Sequence, residues 1–234
     1  DEFDFADRTF LLAWDGGIVP KDKVRPFPEV RFHGLVLDDD QRLPIGFFRG
    51  HDGRRYRRAD GAFTAHGTAF PRLSHVALNG KQESVGEITY WETRDGDWVS
   101  SEDVTVAEER SELPPRVQSL SEGSRTWLDI SILGGTLVAY EHDKPVYATL
   151  ISPGRGGIPQ PGVPTLDTAS TPTGTYSVLG KFLTATMVSG SNSSLIHAAV
   201  QYTQNFSGPY ALHGAYWHDR WGEKKSGGCV NLSP

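Results

Sequence analysis

Glycine and proline interrupt the apolar segments of this chain at short intervals, and this spacing constrains its fold more than any other feature. The chain contains 26 Gly and 15 Pro, together with 6 Trp, 8 Tyr and 11 Phe. Short runs of aromatic and β-branched residues between turn-forming residues are typical of β-strands. No long apolar run recurs at helical spacing. The sequence therefore predicts a mainly β fold with few helices.

Charge and cysteine content exclude several classes of function. The formal net charge is -6, which argues against a nucleic-acid partner because such proteins carry basic surfaces. No segment approaches the roughly 20 apolar residues of a membrane-spanning helix, so we expect no membrane span in this chain. The single cysteine excludes an internal disulfide and any zinc site built from several cysteines. The chain begins at Asp1 without a signal peptide, as expected of a processed or trimmed protein.

The sequence divides into two halves of different character. Residues 1–122 hold the densest charge runs, Asp38–Asp40 and Arg54–Arg58. We interpret this half as a small, irregular, strand-rich domain of unknown role, and the basic run as a solvated hairpin edge that blocks edge-to-edge pairing. Residues 108–123 are expected to form a linker or a short helix. The strands expected in this half are residues 30–37, 45–48, 88–91 and 98–99.

Residues 123–234 carry clearer strand signals. Apolar and polar residues nearly alternate from Trp127 to Leu133, and Gly134-Gly135 follow, which predicts a strand and a hairpin turn. Because no helical segments separate the strands, we do not expect a parallel βαβ sheet. Residues 154–164 are rich in Gly and Pro and are expected to form a loop. The further strands expected in this half are residues 136–140, 146–151, 175–179, 198–204 and 210–215.

Cys229 is the first candidate for chemistry. It follows Ser226-Gly227-Gly228, and glycine lets backbone N–H groups approach a bound oxygen closely. Successive N–H groups in such a turn form an anion-binding hollow that suits a tetrahedral oxyanion. A thiol also needs a base at neutral pH, and His213 is the candidate. At this point a buried structural cysteine and a core histidine remain open as alternatives.

His218 and Asp219 offer a rival interpretation. With His213 they could ligate a metal, as in a zinc peptidase. Their spacing fits no zinc motif, and Trp217 and Trp221 flank them, so we expect neither a metal nor another cofactor. The remaining histidines lie among polar residues and are expected at the surface: His33, His51, His66, His75, His142 and His197.

Two segments, 213–219 and 226–234, resemble the signature of the L,D-transpeptidase catalytic domain (YkuD-like) family. That signature is His-Gly, a loop, then Ser/Thr-His-Gly-Cys, a hydrophobic residue and Asn or Arg. Upstream, Thr171-Pro172-Thr173-Gly174, with Lys181 beyond, resembles the family's Thr-Pro-x-Gly segment, and residues 127–154 resemble its opening strand and hairpin. The resemblance covers residues 125–234 and implies a β-sandwich-like catalytic domain.

The chain departs from this signature at two places. Gly227 stands where the family usually has His before Gly-Cys, so Gly227 inherits no side-chain role, and the family His, if it shapes the site, is lost here. The chain also ends five residues after Cys229, whereas the family continues with a helix and a closing segment. We therefore expect a truncated C-terminal end.

The resemblance implies an exported enzyme of the periplasm or cell envelope that acts on peptidoglycan stem peptides. It implies that His213 deprotonates Cys229 and that the thiolate attacks the third stem residue. D-Alanine then leaves, and a thioester remains on the cysteine. Gly214 is expected to orient His213 through its carbonyl group. The backbone N–H groups of Gly227, Gly228 and Cys229 are expected to hold the oxyanion.

Several outcomes of this chemistry remain open. An amine of a second stem would give a 3–3 cross-link, and a lipoprotein lysine is another acceptor. Water would make the same site an L,D-carboxypeptidase or a hydrolase of cross-links or lipoprotein amides. Gly227 also leaves open a catalytically impaired wall-binding protein, and residues 86–104 resemble a small cell-wall-binding barrel. The residues expected to contact substrate or to hold the cysteine loop are Tyr216, Trp217, Trp221, Ser226 and Asn231.

Overall fold

The computed structural model describes residues 1–13, 16–27, 29–121, 125–189 and 195–234. Strands dominate these residues, which confirms the expected mainly β fold. The strands of the first half are β1 (Glu2–Phe5), β2 (Arg8–Leu12), β3 (Ile18–Pro20), β4 (Leu35–Val36), β5 (Ile45–Phe48), β6 (Tyr56–Ala59), β7 (Ala62–Ala65), β8 (His75–Val85), β9 (Ile88–Thr93), β10 (Trp98–Ser100) and β11 (Val104–Ala107).

The second half continues this pattern. Its strands are β12 (Thr126–Ser131), β13 (Thr136–Glu141), β14 (Lys144–Leu150), β15 (Gly180–Ser189), β16 (Leu195–Ser207), β17 (Tyr210–Gly214) and β18 (Val230–Leu232). The helical elements of the described chain are a 3-10 turn (Lys21–Lys23), α1 (Pro115–Gln118) and α2 (Thr165–Thr168). Within the described residues, no helix has the length and apolar character needed to cross a membrane.

The described strands form four sheets. The first is the antiparallel sheet β1-β2-β3, and the second is a seven-stranded sheet in the order β11-β5-β8-β9-β10-β6-β7. Residues 86–104, which resemble a small cell-wall-binding barrel, contribute β9, β10 and the start of β11 to this second sheet. The third and fourth sheets have the orders β12-β13-β14-β4 and β15-β16-β17-β18.

The third and fourth sheets pack face to face and give the second half a β-sandwich-like form. Leu137 and Ile151 from the side of the third sheet meet Leu212 and Val230 of the fourth in one buried cluster. β17 and β18 are parallel, with Leu212 opposite Val230. Because successive side chains of a strand point to opposite faces, this register directs His213 away from the cluster.

The two halves of the sequence share one hydrophobic core. Phe47 and Val117 of the first half belong to the same buried cluster as Tyr140 and Trp221 of the second. The short strand β4 of the first half also pairs with β14. The expected boundary between residues 122 and 123 lies outside the described residues and stays a prediction. The buried cluster nevertheless contains residues from both sides of that boundary, so this part of the first half packs against the sheets of the second half.

Two expected strands differ from the structure. Residues 175–179 form no strand, and β15 begins only at Gly180. Pro172 cannot donate a hydrogen bond to a sheet ladder, and Gly174 has φ +142, so this segment leaves the ladder geometry. In residues 30–37, only Leu35–Val36 pair as a strand. Residues 45–48 form a strand with the expected bounds.

The basic run lies on the hairpin β6–β7 at one end of the seven-stranded sheet, where β6 pairs with β10 only at Tyr56. Arg54 and Arg57 are exposed there. Arg54 pairs with the buried carboxylate of Asp103 at 3.1 Å, and Arg58 pairs with Glu83 at 2.5 Å. Ion pairs with carboxylates from other parts of the first half therefore neutralise Arg54 and Arg58 of this run.

Candidate active site

The cysteine loop, residues 226–229, is fixed by its first residue. Ser226 Oγ donates to the carbonyl oxygen of Cys229 at 2.5 Å and accepts the N–H of Gly228 at 3.0 Å. Gly228 has φ +131, and a Cβ there would lie 2.4 Å from a ring carbon of Tyr210. Both the backbone conformation and the close aromatic ring therefore require glycine at this position.

A neighbouring segment anchors the cysteine loop. The N–H of Arg155 donates to the carbonyl oxygen of Ser226 at 2.9 Å, and Gly154 and Ser226 form a parallel β-bridge. The N–H of Gly154 in turn donates to Thr171 Oγ1 at 2.8 Å. Thr171, the first residue of the Thr-Pro-x-Gly segment, is buried. This chain of hydrogen bonds links the Thr-Pro-x-Gly segment to the cysteine loop.

His213 is a buried, neutral imidazole on β17. Its Nδ1 lies 3.0 Å from the carbonyl oxygen of Gly214. Because a carbonyl only accepts, Nδ1 carries the proton and Nε2 is left as the acceptor. Burial lowers the pKa of His213, the hydrogen bond to Gly214 raises it in part, and His197 lowers it further. The ring therefore has the tautomer and protonation state of a general base at neutral pH.

The Cys229 thiol is protonated at neutral pH. Burial raises its pKa, and the backbone N–H of Ala211 lowers that pKa only in part. Sγ lies 3.9 Å from the carbonyl oxygen of Pro209, to which the S–H group can donate. The thiol therefore needs a base before it can attack a carbonyl carbon.

The structure brings His213 and Cys229 to neighbouring strands without joining them by a hydrogen bond. The parallel register sets Leu212 opposite Val230, so Ala211 lies beside Cys229 and His213 lies two residues further along, about 7 Å. Within the described residues, the thiol's hydrogen-bond partners are backbone groups of Pro209 and Ala211. Proton transfer from Cys229 to His213 therefore needs a movement that brings the two side chains within hydrogen-bond distance.

The expected oxyanion donors need one correction. The N–H of Gly228 is taken by Ser226 Oγ at 3.0 Å, so it is not free to bind an oxyanion. In the described chain, no hydrogen bond engages the N–H groups of Gly227 or Cys229. These two groups therefore remain as donors.

A groove of about 450 Å³ opens beside Cys229. The hairpin β15–β16 forms one wall, and the start of β17 forms the other. Its described lining carries no charged side chain: it consists of Phe182, Ala185, Thr186, Met187, Val188, Thr203, Asn205, Pro209, Ala211 and Cys229. The groove suits an extended peptide whose charged groups lie at its ends, outside this lining.

The three aromatic residues expected at the cleft have different surroundings. Trp221 is completely buried in the shared core, so it does not line a cleft; its apolar ring is core packing. Trp217 stacks on His197 at 3.8 Å and lies 5.7 Å from the ring of His213. Tyr216 donates from its hydroxyl group to the carbonyl oxygen of Ala198 at 2.8 Å.

His218 is a second buried neutral histidine. Its Nδ1 accepts the N–H of Arg220 at 3.2 Å, and its Nε2 lies 3.1 Å from the side-chain amide of Asn231. The neutral ring must therefore carry its proton on Nε2. Asn231 Oδ1 is buried without a partner among the described residues, so an amide turned with its oxygen toward Nε2 satisfies both groups. Asn231 on β18 thus holds the ring of His218 in place.

Among the described residues, His213, His218 and Asp219 do not form a cluster that could ligate a metal ion. Asp219 turns away from His218 and pairs with Arg72 at 3.1 Å. Across the described ranges, no group of three or more His, Cys, Asp or Glu side chains could hold a metal ion. Two histidines expected at the surface are half-buried instead: His197 stacks on Trp217, and His66 lies 3.1 Å from Asp97.

Three features of the site were missed in the sequence. Pro209 and Ala211 contact the thiol through backbone groups, which leave no side-chain signal. Arg155 was overlooked as part of a Gly/Pro-rich loop. Its position beside Ser226 follows from a bridge between segments that are far apart in the sequence, although a charged residue in a run of glycines is a signal in retrospect.

A family model of the L,D-transpeptidase catalytic domain (YkuD) matches residues 125–234. The matched residues are those that build the sandwich, the Thr-Pro-x-Gly segment and the cysteine loop. This match spans a little under half of the chain and agrees with the resemblance that the sequence motifs carry.

Comparison with solved structures gives matches to proteins of the same description. An L,D-transpeptidase (Yku) from Stackebrandtia nassauensis is 23% identical, with a TM-score of 0.30 over 51% of this chain and 53% of that chain. An Enterococcus faecium L,D-transpeptidase mutant is 15% identical, with a TM-score of 0.40 over 78% of this chain and 66% of that chain. The Ldtfm-avibactam carbamoyl enzyme is 16% identical, with a TM-score of 0.39 over 79% of this chain and 66% of that chain.

This chain thus spans between about half and two thirds of the solved structures that it matches. A search of curated proteins gives no match.

Proposed function

We propose that this chain is a cysteine acyltransferase, an L,D-transpeptidase of peptidoglycan, with Cys229 as nucleophile and His213 as general base. The observation that supports the proposal is the parallel pairing of β17, which carries His213, with β18, which begins directly after Cys229. The Gly214 carbonyl group supports the base role because it fixes the proton on Nδ1 and leaves Nε2 as acceptor.

In the first step, His213 Nε2 takes the proton from the Cys229 thiol as the sulfur attacks the carbonyl carbon of the third stem residue. The sulfur–carbon bond forms, and the carbonyl oxygen becomes an oxyanion. The N–H groups of Gly227 and Cys229 are the donors proposed for it, each worth about 3 kcal/mol in a preorganised site. The imidazolium then returns its proton to the leaving amine, the carbon–nitrogen bond breaks, and D-alanine departs.

In the second step, an acceptor amine attacks the thioester carbonyl carbon. The amine loses a proton to His213, the carbon–sulfur bond of the second tetrahedral intermediate breaks, and the proton passes to the departing thiolate of Cys229. A stem amine as acceptor gives a 3–3 cross-link, and a lipoprotein lysine would give an anchored lipoprotein. Water as acceptor makes the chain an L,D-carboxypeptidase or a hydrolase. The substrate places the proposed enzyme in the periplasm or cell envelope, with a role in cell wall biogenesis and cell shape.

One observation favours a second candidate function. The Cys229 thiol lies against Pro209 and not against His213, and Gly227 removes the side chain that the family carries there. A protein in which the sulfur stays in this position would bind the wall without acylation. Residues 1–122 would then supply part of the wall-binding surface.

Digestion of purified sacculi separates these functions. The full chain is incubated with sacculi, and the released muropeptides are identified by mass spectrometry. New 3–3 dimers indicate transpeptidation, shortened stems indicate carboxypeptidase activity, and unchanged muropeptides with pelleted protein indicate binding alone. Cys229→Ala is the control, and products that persist in this variant would contradict the nucleophile assignment.

A further inference from the structure

Arg155 stands beside the position where this chain departs from its family. A Cβ built on Gly227 would lie 4.0 Å from Nη1 of Arg155, and no other atom approaches that position as closely. The space that the usual histidine side chain would enter is therefore open to solvent except for this guanidinium. Gly227 and Arg155 are both exposed, so the guanidinium lies at the mouth of the cysteine loop.

The backbone of Arg155 is held in place relative to the nucleophile. Its N–H donates to the carbonyl oxygen of Ser226 at 2.9 Å, and Ser226 Oγ binds the carbonyl oxygen of Cys229 at 2.5 Å. Gly154, the preceding residue, is fixed by the buried Thr171. The side chain therefore starts from a rigid point two hydrogen bonds from the cysteine.

The guanidinium of Arg155 has no carboxylate partner in the described chain. Arg54 and Arg58 of the seven-stranded sheet, by contrast, pair with Asp103 and Glu83. Lys224 reaches the same loop, with Nζ 2.9 Å from the Cβ position of Gly157. The chain has a net charge of -6, so a cation without a partner beside the nucleophile is a local exception to the overall charge.

We infer that Arg155 binds a carboxylate of the donor stem peptide and positions its scissile carbonyl group over Cys229. This inference rests on the proposed function. The described lining of the groove beside Cys229 carries no charged side chain, so the charged end of a bound peptide needs a partner outside this lining. A guanidinium forms two parallel hydrogen bonds with a carboxylate. The carboxylate comes either from the terminal D-alanine or from the side chain of a diamino acid such as diaminopimelate.

Steady-state kinetics of the full chain tests the inference with three stem tetrapeptides. The first ends in a free carboxylate and has diaminopimelate at position three, the second is its C-terminal amide, and the third has lysine at position three. The variants are Arg155→Gln and Arg155→Lys. Arg57→Gln, an exposed arginine on β6, is the matched control.

For the free-carboxylate tetrapeptide with diaminopimelate, we expect Arg155→Gln to raise KM about tenfold with little change in kcat, since a charge-assisted hydrogen bond is worth roughly a factor of ten. Arg155→Lys should recover part of the loss, and Arg57→Gln should match the wild type. If the amide abolishes the effect, the terminal carboxylate is the ligand. If lysine in place of diaminopimelate abolishes the effect on KM, the side-chain carboxylate is the ligand. Equal losses on all three peptides, or none, would overturn the inference.

Binding separates this inference from the proposed function. If the wild type turns over none of the peptides, the proposed function fails, and calorimetric titration of the same peptides decides the role of Arg155. Tighter binding of a carboxylate peptide that is lost in Arg155→Gln would support the inference. Equal binding by both proteins, or no binding, would overturn it.

Discussion

The seven-stranded sheet and the cysteine loop use positive charge in opposite ways. On the sheet, Arg54 meets the buried Asp103 and the exposed Glu102, so its charge is neutralised within the fold. Around the cysteine loop, Arg155 has no carboxylate partner in the described chain, and Lys225 is close enough to help lower the pKa of His218. The first region therefore uses charge within the fold, whereas we propose that the second keeps charge available to a ligand.

The largest effect that we expect to distinguish the two regions is on the pH dependence of the free energy of unfolding. Burial, followed by Lys225, lowers the pKa of His218 to about 4. The unfolded ring takes up a proton near pH 6.5, before the folded ring does, so stability falls as pH drops from about 6.5 to about 4. Over this range the wild type should lose about 3 kcal/mol more than His218→Gln in urea unfolding.

The exposed His33→Gln is the control for this measurement and should keep the wild-type slope. An unchanged slope in His218→Gln would show that the cysteine-loop region does not hold a neutral histidine.

Asp103 tests the neutralised region. Burial raises the pKa of this carboxyl group, but hydrogen bonds from Arg54 and His51 outweigh burial and leave the pKa below its usual range. Its contribution to stability is therefore present above about pH 4 and is lost as pH falls through the folded pKa. Asp103→Asn should destabilise the protein by about 2 kcal/mol at pH 7, as expected for charge-assisted hydrogen bonds.

Glu102→Gln is the matched control because Glu102 pairs with the same arginine at the surface. Exposed ion pairs contribute under about 1 kcal/mol. Equal thermal unfolding temperatures for the Asp103 and Glu102 variants would contradict the assignment of this region to stability.

Ser226 has a smaller expected effect on stability. Ser226→Ala removes the hydrogen bonds with Gly228 and Cys229 and should cost about 1 kcal/mol. It should also slow acylation of Cys229, because the loop then holds the sulfur less firmly. Ser119→Ala, which removes an exposed hydrogen bond to Arg116, should change unfolding little and acylation not at all. Unchanged acylation in Ser226→Ala would show that the cysteine position does not depend on this hydroxyl group.

Local sequence patterns predict the parts of the fold that depend on local contacts. The alternating run that begins at Trp127 became β12, because its partner β13 follows directly after a turn. Leu35–Val36 pair with β14, more than 100 positions away, and no local pattern indicates where such a strand begins or ends. β1–β3 were missed, although Phe3 lies between Glu2 and Asp4 and is opposite Phe10 in the β1–β2 hairpin.

The candidate site likewise has features that local sequence predicts and features that it does not. Cys229 and His213 are predicted from the sequence because a thiol and an imidazole are side chains with nucleophilic and basic chemistry. The N–H of Gly228 was assigned to the oxyanion, and no sequence pattern shows that Ser226 occupies it. Trp221 was wrongly assigned to the cleft. The sequence around an aromatic residue near a candidate site does not show whether the ring packs in a core or lines a cleft.

Acylation of Cys229 by a carbapenem, followed by mass spectrometry of the intact protein, tests the central claim most directly. We expect one adduct on the wild type, none on Cys229→Ala, and a rate about 100-fold or more lower in His213→Ala, as for the loss of a general base. His75→Ala, an exposed histidine, should react like the wild type. An adduct that forms on Cys229→Ala, or an unchanged rate in His213→Ala, would contradict the thiol–imidazole pair.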